Sequence, residues 1–583
     1  MMKHYKNFLV GFFVSLMIFP LFLVLFVIII DPFSKFDLIS LPGINTFKSQ
    51  NINMARLFKA HQILKRKPQN IILGSSRVEL GLDPDHPAWK KIPGSTYNAA
   101  MSGIGIFELN KMLQHSFYAS NKINIALIGL DFIMFNAHRE EVIFVTEVSD
   151  FDERRLLKSE TDNPYKAFLC DLPYFIGTPA LKLSGGTLLT QKKDPLTTFY
   201  YQNGQRSDEF MEEIIKKAGP RAMFSSQEWA YIRKIWRAGH KRRYCLRSPA
   251  AHNTLNTFRE LVRFAYAHNI NIRFFTTPIH ARMILAIRQA GLWPQFEEWK
   301  REVTKIIYEE AKNFKAEPFV FWDFCGFFPV NEEQIPDEAS RTPMKYYFEG
   351  SHFNRKVGDI ITSYLIGNNV PHHNTFGKRL TPQNIESYLL QQRQNALRYI
   401  RNNPKEFQFV QNHVENELKD SNGSNCGYDT EAIETAITLL NRGDQQKAKV
   451  YLEKAVFLHN QEKKKYDEIG VPFREDKFWI NLERAKKGQP IESPPKEWTD
   501  YQTVGQKRYE EKNFKDAIRY YSIALQLAPE AGKIALYYLR GITFMEEKEY
   551  KNAIQDFEAV LKTDPKNKTV LHLLKEISKK KIS

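Results

Sequence analysis

The sequence predicts a mixed α/β protein with a parallel sheet, preceded by an apolar helix and followed by helical repeats. Three observations lead to this fold class. From residue 70 onwards, short apolar runs alternate with amphipathic helical patterns, as strands and crossover helices do in parallel sheets. Residues 8–30 carry no charge, and small and aromatic residues recur at a fixed spacing towards residue 583. A chain of 583 residues is too long for one core, and we expect about three or four units.

The uncharged run at residues 8–30 predicts a transmembrane anchor. Its 23 residues are enough to cross a hydrocarbon core of about 30 Å as a helix. A cleaved signal peptide has a shorter apolar core followed by small residues, and residues 31–33 do not fit that pattern. Lys3 and Lys6 precede the run, so the positive-inside rule predicts a single-pass protein of the inner, cytoplasmic membrane. The bulk of the chain would then be extracytoplasmic, or periplasmic.

Composition divides the rest of the chain into four segments. Residues 31–67 are a mixed juxtamembrane segment, and residues 68–368 carry the alternating strand and helix patterns. Within the latter, residues 139–251 are too long for a single crossover and predict a helical insertion. Residues 369–427 are a polar helical and linker segment, and residues 428–583 are predicted to be helical repeats.

Five apolar runs within the α/β segment are predicted to be strands. They lie at residues 71–73, 96–98, 123–131, 270–276 and 318–323. Helical patterns separate or follow them at residues 106–118, 254–268, 295–313 and 355–365, with two more in the insertion at 208–217 and 227–237. Ligands of such sheets bind beyond the carboxyl ends of the strands, so functional residues are sought there.

Two short segments are candidates for nucleophilic chemistry. The first strand ends abruptly at Gly74, Ser75 and Ser76, which is typical of a sharp strand-to-helix turn beside the first N–H groups of a helix. A serine there is either a nucleophile or part of an ordinary turn. His352, with Glu349 three residues before it, is either a catalytic base oriented by that carboxylate or a structural histidine. The occurrence of both segments in one domain favours the catalytic interpretation.

Six motifs in this order resemble the SGNH (GDSL-like) hydrolase superfamily, in particular its membrane-anchored envelope members. They are Gly74-Ser75-Ser76-Arg77, Gly81-Leu82-Asp83-Pro84, Tyr97-Asn98, Ser102-Gly103, Gly129-Leu130-Asp131-Phe132 and Glu349-Gly350-Ser351-His352. The resemblance covers roughly residues 68–368. It implies a flavodoxin-like sheet in which Ser76 attacks an ester carbonyl, His352 acts as base and Glu349 orients the base. It further implies that the backbone N–H groups of Ser76 and Gly103 stabilise the oxyanion.

Two positions depart from the superfamily pattern. Glu349 stands where the family has aspartate, and Asp131 stands where the family has an asparagine that donates to the oxyanion. An ionised aspartate only accepts hydrogen bonds, so Asn98 and Asn136 are considered as substitute donors. His280 follows the fourth predicted strand and is either a substrate contact or a structural histidine.

The carboxyl-terminal segment contains internal repeats. Gly505 and Tyr521 recur as Gly541 and Phe557, an offset of 36 residues, and a weaker copy includes Gly443. This spacing resembles the tetratricopeptide repeat, a helix–turn–helix unit of about 34 residues. Stacks of such units commonly bind protein segments. The repeats are therefore either a binding module for a protein partner or a packing appendage.

The charge balance is basic, with 83 Lys and Arg against 66 Asp and Glu and a net charge of +17. Such a balance suits anionic partners, among them an acidic polysaccharide. Nucleic acid is not an expected partner, because basic and aromatic residues are not interleaved and the anchor places the charge outside the cytoplasm. The four cysteines show no zinc-ligand spacing, and we expect neither a cofactor nor a metal.

Two functions from different classes follow. The first is a membrane-anchored serine esterase or O-acyltransferase that acts on acyl esters, chiefly acetyl, of an envelope or secreted polysaccharide. The polysaccharide is inferred from the superfamily resemblance and the basic charge. The alternative is a catalytically inactive SGNH-like scaffold whose repeats recruit protein partners into an envelope complex. Asp131 favours the scaffold, whereas the retained serine, histidine and carboxylate favour the enzyme.

Overall fold

The computed structural model describes most of the chain and forms two compact units, Met1–Gln489 and Pro490–Ser583. The described residues are 2–36, 38–137, 152–159, 161–162, 177–191, 199–232, 244, 246, 253–367, 376–418, 432–433, 436, 439–440, 444–469, 482, 486–487, 498–510, 512, 514–528, 530–565 and 567–580. The end of the predicted helical and linker segment, residues 419–427, the repeat residue Gly443 and much of the predicted insertion lie outside them.

A six-stranded sheet forms the centre of the first unit. Its strands are β1 Asn70–Leu73, β2 Thr96–Asn98, β3 Ile125–Leu130, β4 Asn271–Thr276, β5 Val320–Asp323 and β6 Lys378–Arg379. They lie in the order β2-β1-β3-β4-β5-β6, and all neighbours are parallel except β5 and β6. The five predicted strands are confirmed, and the order 2-1-3-4-5 is that of flavodoxin-like sheets. The sixth strand was not predicted, because its two exposed basic residues give no apolar signal.

Successive residues of each parallel strand face opposite sides of the sheet, and both sides are covered. Ile71 and Ile128 belong to one apolar core, whereas Ile72 and Leu127 belong to the other. Burial on both faces explains why β3 is apolar throughout instead of alternating with polar residues. The mixed α/β class and its parallel-sheet core are thus confirmed.

The helices of the first unit pack around this sheet or precede and follow it. Within the described residues they are α1 Met2–Ile30, α2 Ala55–Arg66, α3 Ser76–Gly81, α4 Ile106–Ser120, α5 Thr178–Leu189, α6 Glu209–Ala218, α7 Pro220–Tyr231, α8 Thr254–Ala267, α9 Ala281–Gln289, α10 Trp293–Asn313, α11 Arg355–Ile366, α12 Ile385–Asn402, α13 Pro404–Leu418 and α14 Gln445–Ile469. Helix α6 matches its prediction. Helix α7 begins earlier than predicted because Pro220 fits the first helical turn, where no N–H is needed.

Helix α1 contains one stretch, Tyr5–Ile30, that is long and apolar enough to cross a membrane by length and composition. A signal sequence would pass the same test. Most of the stretch is exposed, but Val27 and Ile30 near its carboxyl end are buried. Val27 and Phe33 pack against Leu57 of α2 and Ala180 of α5 in a small apolar core.

The second unit is entirely helical in its described residues. Its helices are α15 Trp498–Glu510, α16 Phe514–Leu527, α17 Glu530–Glu546, α18 Tyr550–Thr563 and α19 Lys568–Lys580. A Cβ atom at Gly505 would lie 2.6 Å from the ring of Tyr521, and one at Gly541 would lie 2.6 Å from the ring of Phe557. The same glycine-to-ring contact therefore recurs at the predicted offset. Small residues let paired helices approach, and large rings fill the space between them.

Candidate active site

Ser76 lies at the carboxyl end of the central strand β1, as the first residue of helix α3. The side chain of Ser75 caps this helix. A Cβ atom at Gly74 or at Gly129 of β3 would overlap Val78, so both glycines are needed for α3 to lie close over the strand ends. This close approach places Ser76 at the edge of the sheet where ligands bind in doubly wound folds.

His352 and Glu349 meet Ser76 from a segment 276 residues away. The Nε2 atom of His352 lies 2.7 Å from Ser76 Oγ. Its Nδ1 atom hydrogen-bonds with Oε1 of Glu349. The second oxygen of this buried carboxylate accepts the backbone N–H of Ser351 at 2.6 Å. The structure thus brings together the three residues to which the sequence assigned nucleophile, base and orienting carboxylate.

The helices that flank these residues touch through their backbones. Helix α11 begins three residues after His352 and crosses helix α3, which begins with Ser76. A Cβ atom at Gly358 would overlap the carbonyl oxygen of Gly81, and one at Gly81 would overlap the ring of Phe353. Because neither helix can shift without loss of this contact, it fixes the distance between the serine and the histidine.

Arg77 joins the histidine loop to the sheet. Its Nε donates to the carbonyl of Ser351 at 2.9 Å, and a terminal nitrogen lies 3.2 Å from Asp131 Oδ1. The hydroxyl of Thr277 donates to the same aspartate oxygen, and Tyr231 accepts from Arg77 at 3.1 Å. Burial lowers the pKa of Arg77, but the charges of Asp131 and Tyr231 outweigh it, and the pKa lies above its ordinary value. The guanidinium therefore stays charged and positions the loop that carries the base.

Gly103, an expected oxyanion donor, follows a segment that pairs with the turn before Ser76. The N–H of Met101 donates to the carbonyl of Gly74 at 2.9 Å, which continues the β1–β2 pairing beyond the strand ends. Gly103 lies two residues after this hydrogen bond. Gly103 is exposed, with a φ of 69°, and a Cβ atom there would meet nothing within 4 Å.

Asn98 is engaged in structural hydrogen bonds. Its amide nitrogen donates to the carbonyls of Val78 and Leu82 at 3.1 and 2.9 Å, and its oxygen accepts the N–H of Ala100 at 3.0 Å. The side chain is fully buried. The amide nitrogen joins β2 to helix α3 and its end, and the oxygen is occupied by Ala100, so the geometry does not support the expectation that Asn98 donates to an oxyanion.

His280 caps helix α9 and is also committed on both ring nitrogens. Its Nδ1 accepts the N–H of Arg282 at 3.2 Å, and its Nε2 donates to the carbonyl of Glu333 at 2.6 Å. Burial lowers the pKa of His280 to about 3, so the ring stays neutral. Of the two interpretations that the sequence leaves open, this geometry favours the structural histidine.

Tyr231 is a site residue that the sequence did not suggest. It ends helix α7 of the insertion, and its hydroxyl lies 3.2 Å from Ser351 Oγ, which itself lies 3.2 Å from Nδ1 of His352. The helical pattern of the insertion was visible, but nothing local shows that its last turn reaches the catalytic loop. Among the described residues, no group of three or more His, Cys, Asp and Glu side chains could hold a metal.

Comparison with known proteins identifies one feature. A protein-family model of the tetratricopeptide repeat matches residues 534–567, which confirms the repeat predicted around Gly541 and Phe557. This repeat indicates protein partners. No curated protein matches the chain, and the comparisons give no support for the SGNH resemblance. What is established is a parallel-sheet α/β unit with a serine, histidine and carboxylate in contact, and a second unit with a tetratricopeptide repeat.

Proposed function

We propose that this protein is a membrane-anchored serine esterase or O-acyltransferase that acts on acyl esters of an envelope or secreted polysaccharide. The observation that supports this proposal is the 2.7 Å contact between Ser76 Oγ and His352 Nε2, with Glu349 bonded to the other ring nitrogen. The three side chains come from segments far apart in the sequence. An ordinary turn serine and a surface histidine would not be expected to form a hydrogen-bonded serine–histidine–carboxylate series.

The chemistry follows from which atom holds each proton. Ionised Glu349 accepts the Nδ1 proton of His352, so Nε2 is free of hydrogen and can take the proton of Ser76. The serine oxygen then attacks the acyl carbonyl, and the protonated Nε2 returns its proton to the departing sugar oxygen as the ester C–O bond breaks. In the second step a water molecule (hydrolysis) or an acceptor hydroxyl (acyl transfer) attacks the acyl-enzyme carbonyl while His352 Nε2 removes its proton. The bond between the acyl carbon and Ser76 Oγ then breaks, and Nε2 returns the proton to Ser76.

The oxyanion would be stabilised by the backbone N–H groups of Ser76 and Gly103. The third donor implied by the superfamily is replaced by Asp131, whose Oδ1 is engaged by Arg77 and Thr277. Loss of one oxyanion donor costs about 100-fold to 1000-fold in other enzymes. We therefore expect slow turnover, and an acyl-enzyme that forms faster on activated esters than on natural ones.

The anchor and the substrate belong to the same proposal. Burial of Val27 and Phe33 at the end of helix α1 supports a helix that is retained as part of the folded chain. Lys3 and Lys6 support a cytoplasmic amino terminus and an extracytoplasmic catalytic unit. The net charge of +17 supports an anionic polysaccharide as acyl carrier.

Active-site labelling tests the catalytic proposal. The full chain in neutral detergent is treated with a fluorophosphonate and assayed on an acetyl ester, as wild type, Ser76→Ala and His352→Ala. Ser75→Ala is the matched control, because Ser75 caps the helix and its removal costs about 1 kcal/mol of stability but no nucleophile. We expect labelling of wild type and Ser75→Ala alone. Equal labelling of folded Ser76→Ala would contradict the proposal.

A second function is a catalytically inactive scaffold in an envelope complex. The tetratricopeptide repeat at residues 534–567 favours it, and so does the acceptor-only Asp131. The same experiment separates the two functions. A folded wild-type chain that neither labels nor hydrolyses the ester, yet retains a protein partner through the second unit, supports the scaffold.

A further inference from the structure

A cavity of about 340 Å³ lies apart from the catalytic residues, on the side of the first unit where helix α1 ends. It is lined by Ser34, by residues 39–40, 45–48 and 51, by helix α2 and by residues 199–202. The rings of Phe58 and Tyr200 stack in its wall with their centroids 5.1 Å apart. Its size is within the range of about 300–1,000 Å³ that small-molecule sites occupy.

The cavity contains an acceptor that lacks a partner. Asn51 lines it and is 3% exposed. Its Nδ2 donates to Ser34 Oγ at 3.0 Å, but its Oδ1 has no hydrogen-bond partner within the described part of the protein. A buried carbonyl oxygen without a donor lowers the stability of the fold by roughly the free energy of one hydrogen bond. A ligand hydroxyl could donate that missing hydrogen bond.

The same cavity is electropositive. Lys48 and Arg66 line it, and its described lining residues include no carboxylate. Lys48 is paired with Asp31 at 3.1 Å, outside the lining, so one of the two charges is compensated. The Nε of Arg66 donates to Gln62 at 2.8 Å, and this bond holds the guanidinium against the cavity. A guanidinium can form two parallel hydrogen bonds with a phosphate.

Exposed apolar side chains flank the cavity. Leu38, beside the lining residue Ile39, is 69% exposed, and Leu189 at the end of helix α5 is 86% exposed. Gln191 ties the end of α5 to the cavity, because its side chain bonds both backbone groups of the lining residue Phe47 at 2.8 and 3.1 Å. Leucines exposed next to the end of a membrane-spanning helix are stabilised by insertion among acyl chains.

We propose that this cavity binds the headgroup of an anionic phospholipid that carries a free hydroxyl, with phosphatidylglycerol as the simplest representative. Arg66 contacts the phosphate, Asn51 accepts from a headgroup hydroxyl, and Leu38 and Leu189 lie in the acyl region. The proposal rests on helix α1 being the membrane anchor of the proposed function, but not on the Ser76 chemistry. In this proposal, the juxtamembrane segment holds the catalytic unit against the bilayer.

Binding to the delipidated full chain in neutral detergent tests the proposal. The titrants are dihexanoyl phosphatidylglycerol, dihexanoyl phosphatidic acid, dihexanoyl phosphatidylcholine and free glycerol 1-phosphate. We expect phosphatidylglycerol to bind tightest, and about 3-fold to 10-fold better than phosphatidic acid, which lacks the headgroup hydroxyls. Equal binding of free glycerol 1-phosphate would identify a soluble polyol phosphate as the ligand and overturn the lipid assignment.

Two variants assign the contacts. Arg66→Gln should weaken phosphatidylglycerol binding by about 10-fold to 100-fold, whereas the matched control Lys65→Gln removes the same charge from a residue outside the lining and should not. Asn51→Ala should abolish the preference for phosphatidylglycerol over phosphatidic acid and leave phosphatidic acid binding in place. Equal losses in Arg66→Gln and Lys65→Gln would show unspecific charge attraction and refute the site. Fluorophosphonate labelling of the same samples reports the catalytic proposal separately.

Discussion

Replacement of Glu349 by glutamine tests whether this carboxylate sets the tautomer of His352, the proposed base. The substitution keeps the size of the side chain and exchanges one acceptor oxygen for an NH₂ group. In the native site each oxygen faces one N–H donor, Nδ1–H of His352 on one side and the backbone N–H of Ser351 on the other. A glutamine can satisfy only one of the two.

The structure determines which of them the glutamine satisfies. If its NH₂ group faced Ser351, two donors would meet where the oxygen and nitrogen now lie 2.6 Å apart, and a buried hydrogen bond would be lost. We therefore expect the oxygen to stay on Ser351 and the NH₂ group to face His352. Nδ1 must then accept a hydrogen bond, so the proton moves to Nε2. A protonated Nε2 cannot take the proton of Ser76.

The expected loss of turnover is about 10⁴-fold, as in serine proteases whose triad aspartate is changed to asparagine. It corresponds to about 5.5 kcal/mol of transition-state stabilisation. The assay is the rate of acetyl-ester hydrolysis and fluorophosphonate labelling of the full chain in detergent, with thermal unfolding measured in parallel. Glu349→Asp keeps the charge on a shorter side chain and should recover part of the activity.

Glu333→Gln is the matched control for effects on the loop alone. The Glu333 carboxylate accepts the N–H groups of Lys345 and Tyr346 upstream of the catalytic loop and contacts neither Ser76 nor His352. We expect this variant to retain most of the activity. Turnover in Glu349→Gln within about tenfold of wild type would refute the assigned role, because a wrong tautomer is incompatible with so small a loss.

Three further variants probe the packing and the buried ionisable groups. Gly358→Ala should push helix α11 off α3 and lower labelling about 100-fold, since misplacement by about 1 Å costs that much, whereas Gly185→Ala enters open space and should not affect it. His280→Asn keeps a helix cap but removes a ring whose pKa folding lowers from 6.5 to about 3. Because the unfolded chain binds the extra proton between these values, the wild type should lose stability below pH 6.5 more steeply than the variant. Thermal unfolding should show a difference of up to about 1.4 kcal/mol per pH unit. Burial lowers the pKa of Lys59 from 10.5 to about 7, so the unfolded chain binds an extra proton between these pH values. Wild-type stability should therefore rise from pH 7 to pH 10.5, and Lys59→Met should lack that rise. The same dependence of stability on pH in both proteins would refute the assignment.

The strands and the catalytic turn were predictable because their signals are local. Residues of β3 are buried on both faces, so the strand is a continuous apolar run that no amphipathic helix would show. Ser76 follows a glycine that must lie close to Val78, and a glycine in that place is itself the sequence signal. The pairing of Ser76 with His352 needed in addition the order of the motifs along the chain.

The positions of Asn98, His280 and Tyr231 depend on contacts that no local pattern encodes. Asn98 ends strand β2, but its amide nitrogen donates to the carbonyls of Val78 and Leu82. His280 follows β4 at the same sheet edge, but its Nδ1 accepts a hydrogen bond from a backbone N–H in the first turn of helix α9. Tyr231 contacts Ser351 because of the way the insertion folds, and no pattern in its local sequence predicts that contact.

Asp131 and Arg77 form one electrostatic unit, and this gives the aspartate at position 131 a structural role. The buried guanidinium needs an anion, and Asp131 supplies it at 3.2 Å while Arg77 holds Ser351 next to the catalytic base. Asp131→Asn should therefore destabilise the fold by about 3–5 kcal/mol, the cost of an unpaired buried charge, and lower labelling. Thr277→Val removes a neutral hydroxyl that donates to Asp131 and accepts from Arg77, leaves the ion pair in place, and should cost less. Faster turnover in Asp131→Asn would instead show that the position still faces the oxyanion.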